Sequence, residues 1–233
     1  MSNKKPKPTY VFASCKPWHL KSFQMLAKKC RGRWIYVTDP RRLVSVLAKR
    51  RPRYIFFPHW SWMVPQSVWE KHESVCFHMT DVPYGRGGSP LQNLILKGHT
   101  KTKITALRMV GELDAGPVYM KRNLSLHGRA EDIYQRAGRI CVAMINRMVK
   151  QQPKPFPQKG VVVKFGRRKP SESRLPKMGT LSKWYDWIRM LDAATYPRAF
   201  LKYGDFRIEF HSAVIKENKL EAKVVITRGA LKK

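Results

Sequence analysis

An open, mostly parallel α/β sheet with a small C-terminal helix and β-hairpin extension is the fold class this sequence predicts. Three observations carry the expectation. Short β-branched or aromatic runs alternate with helical stretches through the first half, the pattern of βαβ units. One run, Tyr54–Phe57, is apolar throughout, as expected where both faces of a parallel sheet are covered. Composition then shifts at Gln151, from regular periodicity to a stretch rich in Pro, Lys and Arg.

In chain order, Thr9–Ser14 reads as the first strand and Pro17 to about Lys29 as an amphipathic helix. Trp34–Val37 reads as the second strand. The helix over Pro40–Arg50 follows, with Leu43, Val46 and Leu47 on one face. After Tyr54–Phe57, Val64-Pro65 opens a short helix, proline being tolerated early in one. Ser74–His78 is the fourth strand. The glycine-rich loop Met79–Ser89 leads from it into a helix over Pro90–Lys97. Thr102–Val110 and Val118–Leu126 complete the strands of this half. Ala130–Lys150 is the longest helix, with Ile133, Ala137, Ile140, Ala143 (or Met144) and Met148 at helical spacing. The order is that of a Rossmann-like sheet over residues 1–150. Residues 151–179 read as a connecting segment that wraps over the surface, with one apolar run at Gly160–Phe165. Residues 180–233 form a small C-terminal piece, a helix over Leu181–Leu191 and a hairpin from Phe206–Phe210 and Leu220–Thr227.

Composition narrows the function classes. A chain of 233 residues with 43% hydrophobic content can bury a core and is not a disordered tail. No apolar run approaches the roughly 18 residues of a membrane span, so no membrane partner is expected. Met1–Pro8 is polar and basic, unlike a secretory leader. The four cysteines, Cys15, Cys30, Cys76 and Cys141, are scattered without a CxxC pair. Neither a disulfide framework nor a metal site is expected, and a reducing cytoplasm is the expected setting. The formal net charge of +32 favours polyanions. The cations run from Lys4 to Lys233, however, so charge alone singles out no partner.

Chemistry is expected beyond the carboxyl ends of the strands. Two segments put unusual polar residues there. The first, Cys76 to Pro90, ends a buried strand with His78 and turns through Gly85, Gly87 and Gly88 into a helix; glycines permit close approach of backbone to a ligand. The second, Glu112 to Pro117, is a tight loop carrying Asp114. On this reading His78 and Asp114 sit on loops at one edge of the sheet. A carboxylate fixes an imidazole's tautomer, and the imidazole then exchanges a proton with an amine or holds an oxyanion. A lone strand-end histidine is more often a structural hydrogen-bonder, and an Asp before Ala-Gly-Pro a turn former.

His78, Pro83, Arg86-Gly87, Pro90, Thr105 and Leu113-Asp114-Ala115-Gly116-Pro117 occur in one order at characteristic intervals. In this the chain resembles the 10-formyltetrahydrofolate-dependent formyltransferases, most closely over Val75–Lys121 and more weakly from Thr9 to about Tyr203. The resemblance implies the formyltransferase fold, 10-formyltetrahydrofolate as co-substrate, and His78 and Asp114 as the catalytic pair. The third catalytic position of the family, an asparagine, falls on Cys76, whose thiol is a weaker donor than an amide. Thr80 or a backbone N–H is a candidate replacement. Trp60–Pro65 matches the stretch whose main chain holds the pteridine, so Trp62, Met63 and Val64 are expected to bind the cofactor, with Leu113 and Gly116 opposite. Thr80, Arg86, Gly87 and Lys16 are expected at the acceptor, and Trp18 and His19 lie beside Lys16. Only a short stretch follows Phe200, too little for a full five-stranded barrel. Phe57–Trp62 and Phe77–Asp81 further resemble the pseudaminic-acid-pathway branch. The expected acceptor is therefore a UDP-linked 4-amino-4,6-dideoxy sugar, with Arg86 meeting its diphosphate. The alternatives are methionyl-tRNA as acceptor, or a non-catalytic nucleic-acid-binding protein on the same scaffold. Homodimerisation is left open.

Overall fold

The computed structural model describes residues 7–194 and 196–228. Residues 1–6 of the Met1–Pro8 segment and the last five residues of the C-terminal piece lie outside the described residues.

The elements in chain order are β1 (Thr9–Ala13), α1 (His19–Lys29), β2 (Arg33–Val37), α2 (Pro40–Lys49), β3 (Tyr54–Pro58), α3 (Gln66–Trp69) and β4 (Ser74–His78). There follow β5 (Tyr84–Gly87), α4 (Pro90–Leu96), β6 (Lys101–Arg108), β7 (Val118–Ser125) and α5 (Ala130–Gln151). The rest comprises β8 (Val163–Phe165), a 3₁₀ turn at Pro170–Ser173, α6 (Leu181–Arg189), β9 (Ala199–Tyr203), β10 (Phe206–Lys216) and β11 (Lys219–Arg228). Two compact units result. One holds residues 1–87, 102–124 and 135–164; the other holds 88–101, 125–134 and 165–233.

The first unit is built on a six-stranded sheet of order β2-β1-β3-β4-β6-β7. Strands β2, β1, β3 and β4 are parallel and β6 is antiparallel to β4. This is the parallel-dominated open sheet expected. Both faces of its centre are covered, which is why β3 is buried from end to end. Val11, Ala13, Ile55 and Phe57 form one apolar layer with Leu43 of α2 and Val68 of α3. On the alternate positions, Tyr10 meets Trp34 at 4.7 Å between ring centroids, Phe12 meets Phe23 at 5.8 Å and Phe56 meets Phe77 at 6.3 Å. Helix α2 begins where Asp39 Oδ1 accepts from the Arg42 N–H at 2.9 Å and Pro40 occupies the first turn. Along α5, Ile133, Ala137, Cys141, Met144, Ile145 and Met148 are buried, so Met144 rather than Ala143 carries the stripe. A Cβ on Gly138 would stand 3.1 Å from His19 Cε1; the missing side chain lets α5 approach β1's neighbour helix closely.

Three expectations are corrected here. The Met79–Ser89 loop is partly a strand, because β5 pairs with β8, and the Val163 N–H donates to Pro83 O at 3.1 Å. Glycine weakens the β signal in Tyr84–Gly87, which hides it in the sequence. The terminal hairpin is a three-stranded sheet of order β11-β10-β9, its third strand supplied by Ala199–Tyr203. Pro65 stands just before α3 rather than within it, since its extended backbone (ψ 148°) precedes the helical residues. In the second unit, Thr180 caps α6 by accepting from the Lys183 N–H at 3.2 Å. Arg189, nearly buried, pairs with Asp186 at 2.6 Å and donates to Leu126 O and Gly128 O. Among the described residues no helix is long and apolar enough to cross a membrane.

Candidate active site

His78 is the last residue of β4, and Asp114 lies in the loop between β6 and β7. The two are not on loops at one sheet edge. Because β6 runs antiparallel to β4, its end, Arg108, pairs with Val75 near the start of β4. The following loop must double back over the sheet to reach His78. Side chains alternate along a strand, so Cys76 and His78 project from the same face. Asp114 spans both: Oδ2 lies 3.4 Å from His78 Nδ1, and Cys76 Sγ points at Oδ1 from 4.0 Å. Both partners of the His–Asp pair are nearly buried, at 8% and 7% side-chain exposure, so water screens their interaction weakly.

Hydrogen bonds fix the roles. His78 Nε2 is 2.8 Å from Gly85 O, an acceptor only, so that nitrogen carries hydrogen. Nδ1 faces a carboxylate. The imidazole therefore has an acceptor at each nitrogen. Asp114 Oδ2 also accepts the Gly87 N–H at 3.0 Å. The Cys76 thiol is pushed well above its ordinary pKa, first by desolvation and then by the Asp114 charge and Cys141, and stays protonated near neutrality.

The loop carrying Asp114 is held in an unusual shape. Asp114 has φ +54°, a left-handed conformation that costs a non-glycine residue energy unless its surroundings impose it. Gln158 imposes it. Its Nε2 donates at 2.8 Å to both Asp114 O and Gly116 O, while its Oε1 accepts from Arg86 Nε at 3.1 Å and Nη2 at 2.9 Å. Gln158 was missed in the sequence. One glutamine in a Pro-Lys segment that reads as a surface connection gives no signal, yet Phe156 exchanges backbone hydrogen bonds with Val118 and ties that segment to the sheet.

The other expected site residues fall into two groups. Several are occupied internally. Thr80 is fully buried, with its hydroxyl given to Gly85 O at 3.2 Å and its carbonyl accepting from Thr105 at 2.7 Å. Its hydroxyl is thus spent within the loop rather than turned out to replace the family asparagine. Gly87 spends its N–H on Asp114. Arg86, 11% exposed in its side chain, faces Gln158 and, at 3.5 Å, Glu112. Gly116 has a packing reason to be glycine, since a Cβ there would stand 1.8 Å from Arg108 O. Others are open to solvent: Trp62 is 44% exposed, Met63 79% and Leu113 54%. Val64 is partly buried against the apolar layer that Trp60 and Met109 also cover.

Lys16 lies just past the carboxyl end of β1, its Nζ 5.8 Å from the Trp18 ring. Close by, the Cys15 thiol donates to His59 O at 3.1 Å and meets Ser61 Oγ at 3.2 Å, linking the ends of β1 and β3. His19 Nε2 and His59 Nδ1 are 2.7 Å apart. Desolvation lowers His19 to about 4, and desolvation, His19 and Lys16 lower His59 to about 3, so the pair is neutral at pH 7 and shares one hydrogen. Among the described residues no group of three or more His, Cys, Asp or Glu is placed to hold a metal ion.

Comparison with known proteins bears on the acceptor. Residues 170–227 match the family model described as the methionyl-tRNA formyltransferase C-terminal domain. The structure of a methionyl-tRNA formyltransferase from Clostridium thermocellum is similar at 42% identity and TM-score 0.91, covering 95% of this chain and 100% of that one. The methionyl-tRNA formyltransferase of Sulfurihydrogenibium sp. (strain YO3AOP1) is 22% identical over 198 residues, 80% of this chain and 62% of the relative. The chain thus spans less than two thirds of that relative's length. A 4-N formyltransferase from Francisella tularensis shares the fold, with TM-score 0.70, at 12% identity. These matches overturn the nucleotide-sugar acceptor, and with it the pseudaminic-acid assignment and the sugar as principal partner. The expectation rests on the short C-terminal region and on the likeness of Phe57–Trp62 and Phe77–Asp81 to the sugar branch. A methionyl-tRNA formyltransferase chain is matched over its whole length by this one, so that region does not mark a sugar enzyme.

Proposed function

We propose that this chain, which belongs to the formyltransferase family in its methionyl-tRNA formyltransferase-like form, transfers a formyl group from 10-formyltetrahydrofolate to the amine of an aminoacyl-tRNA, methionyl-tRNA foremost. The single observation that carries the reading is the nearly buried His78–Asp114 pair at 3.4 Å, on a scaffold 42% identical to a methionyl-tRNA formyltransferase. The residues suit the co-substrate. Trp62, Met63 and Leu113 are large apolar side chains left exposed, which a flat heterocycle would cover. Trp62, Met63, Val64, Leu113 and Gly116 are accordingly the residues proposed to hold it. When bound, 10-formyltetrahydrofolate supplies an activated formyl carbon that a neutral amine can attack.

The chain's own groups then have distinct tasks. Asp114 fixes the orientation of the His78 ring through Nδ1. His78 Nε2 must turn from Gly85 O toward the substrates to hold the developing oxyanion and relay the proton the amine sheds. Cys76, as a neutral thiol, gives only a weak donor on that face. Gln158 holds Asp114 by its backbone carbonyl and the Gly87 N–H by its carboxylate. Lys16, at the end of β1, is proposed to meet the acceptor's phosphates.

The test is formylation of methionyl-tRNA by the intact chain with 10-formyltetrahydrofolate. His78→Ala is expected to lower kcat by about two to four orders of magnitude. Undiminished turnover in that variant would remove the proposed role of His78.

A further inference from the structure

A cavity of about 510 Å³ opens at the amino end of β1, where α1 and α5 both finish. Its volume is in the range of ligand pockets, roughly 300–1,000 Å³, and well beyond a single phosphate. Lys7, Lys29, Arg31 and Lys150 line it, over a floor that includes Tyr10 and Cys30. The four cations come from separate places: the strap before β1, the end of α1, the turn into β2 and the last turn of α5.

None of the four is in an ion pair with a carboxylate among the described residues. The sequence explains this. There is no Asp or Glu anywhere in residues 1–38 or in residues 133–171, the segments that build the cavity. Like charges converging on one cavity raise its potential and draw in anions. Part of the arrangement has a simpler cause, because helix C-termini attract cations by about 0.3–1 kcal/mol each. That cause covers Lys29 and Lys150, which sit in the last turns of α1 and α5. It does not cover Lys7 and Arg31, which stand outside any helix.

We propose that this cavity is a binding site for several phosphates held close together, separate from the His78–Asp114 centre. The common chemistry is that of a polyphosphate, whether free or as the sugar-phosphate backbone of RNA. Lys29, Arg31 and Lys150 clasp the phosphates from two sides and Lys7 closes the strap edge. The site's readout is binding, so it stands whether or not the chain formylates an aminoacyl-tRNA.

The experiment measures binding of inorganic tripolyphosphate and of a tRNA acceptor-stem RNA hairpin to the intact protein across a salt series. The comparison is with Lys29→Ala/Arg31→Ala/Lys150→Ala, and with Lys29→Arg/Lys150→Arg, which keeps the charge. The triple variant is expected to bind at least one probe about tenfold or more weakly, with the slope of log K against log salt shallower by roughly one per cation removed. The arginine variant is expected to bind as wild type does. Loss confined to tripolyphosphate identifies a free polyphosphate; loss extending to the hairpin identifies nucleic-acid backbone. A triple variant of unchanged thermal stability that binds both probes as wild type does overturns the proposal, and so does a wild type that binds neither.

Discussion

The two edges of the central sheet treat charge in opposite ways. At the carboxyl edge nearly every polar atom near His78 is matched: His78 between Asp114 and Gly85 O, Asp114 held by Gly87 N, Arg86 on Gln158, and Asp81 between Lys103 at 2.8 Å and Lys121 at 2.5 Å. At the amino edge four cations line a cavity with no carboxylate paired to them among the described residues. Matched charges fix the orientation of the His78 ring and of Asp114, leaving only the Nε2 partner to be exchanged. Unmatched ones store potential for a partner that brings the opposite charge. A net charge of +32 therefore does not describe one uniform surface but a paired site and an unpaired one.

The comparison breaks most sharply at the carboxylate. Asp114→Asn keeps the shape of the side chain, removes its charge and offers an amide where His78 Nδ1 expects an acceptor. Steady-state formylation is expected to fall by about two to four orders of magnitude in kcat, with the fold intact by circular dichroism. An effect below tenfold would mean that the paired edge is structural. Gln158→Ala leaves the His78 and Asp114 side chains in place and removes the clamp on Asp114 O, Gly116 O and Arg86. A displacement of about 1 Å costs up to roughly a hundredfold, so kcat is expected to drop ten- to a hundredfold while KM holds. A change confined to KM would place Gln158 in acceptor binding instead.

Cys76→Asn sharpens the comparison from the other side. It restores an amide donor on the face His78 shares, and one oxyanion donor is worth about 10²–10³ in kcat. The expected outcome is faster turnover by tenfold or more; an unchanged or slower variant would show that this site finds its oxyanion donor elsewhere.

The smallest effect concerns pH. His19 and His59 are lowered to about 4 and about 3 by desolvation, against about 6.5 in an unfolded chain. Between those values the unfolded chain binds more protons than the folded one, so stability is full above pH 6.5 and declines as pH falls toward 4. Urea midpoints measured from pH 7.5 to pH 4.5 are expected to fall, and His19→Asn is expected to flatten that decline. An equally steep decline in the variant would assign it to other groups.

The fold was legible where burial imposes a period. The all-apolar β3, the α2 stripe and the long α5 each announce themselves. What escaped was structure made by partners distant in sequence. Strand β5 is built of Tyr84-Gly85-Arg86-Gly87 and exists because β8 pairs with it. The doubling back of the Asp114 loop follows from the antiparallel direction of β6, which no local pattern encodes. In the site, His78 and Asp114 were legible as a motif. Gln158 was not, because its importance lies in three backbone and side-chain partners rather than in its own chemistry. Thr80, Arg86 and Gly87 were read as facing a substrate, but a sequence does not tell a polar group turned to a ligand from one spent on its own loop.

The most direct test of the account is single-turnover transfer of labelled formyl from 10-formyltetrahydrofolate to methionyl-tRNA, by the intact protein and by Asp114→Asn. The expected result is formyl-methionyl-tRNA from the wild type and a rate about a hundredfold or more lower from the variant. No product from a folded wild type, or equal rates from both proteins, would contradict it.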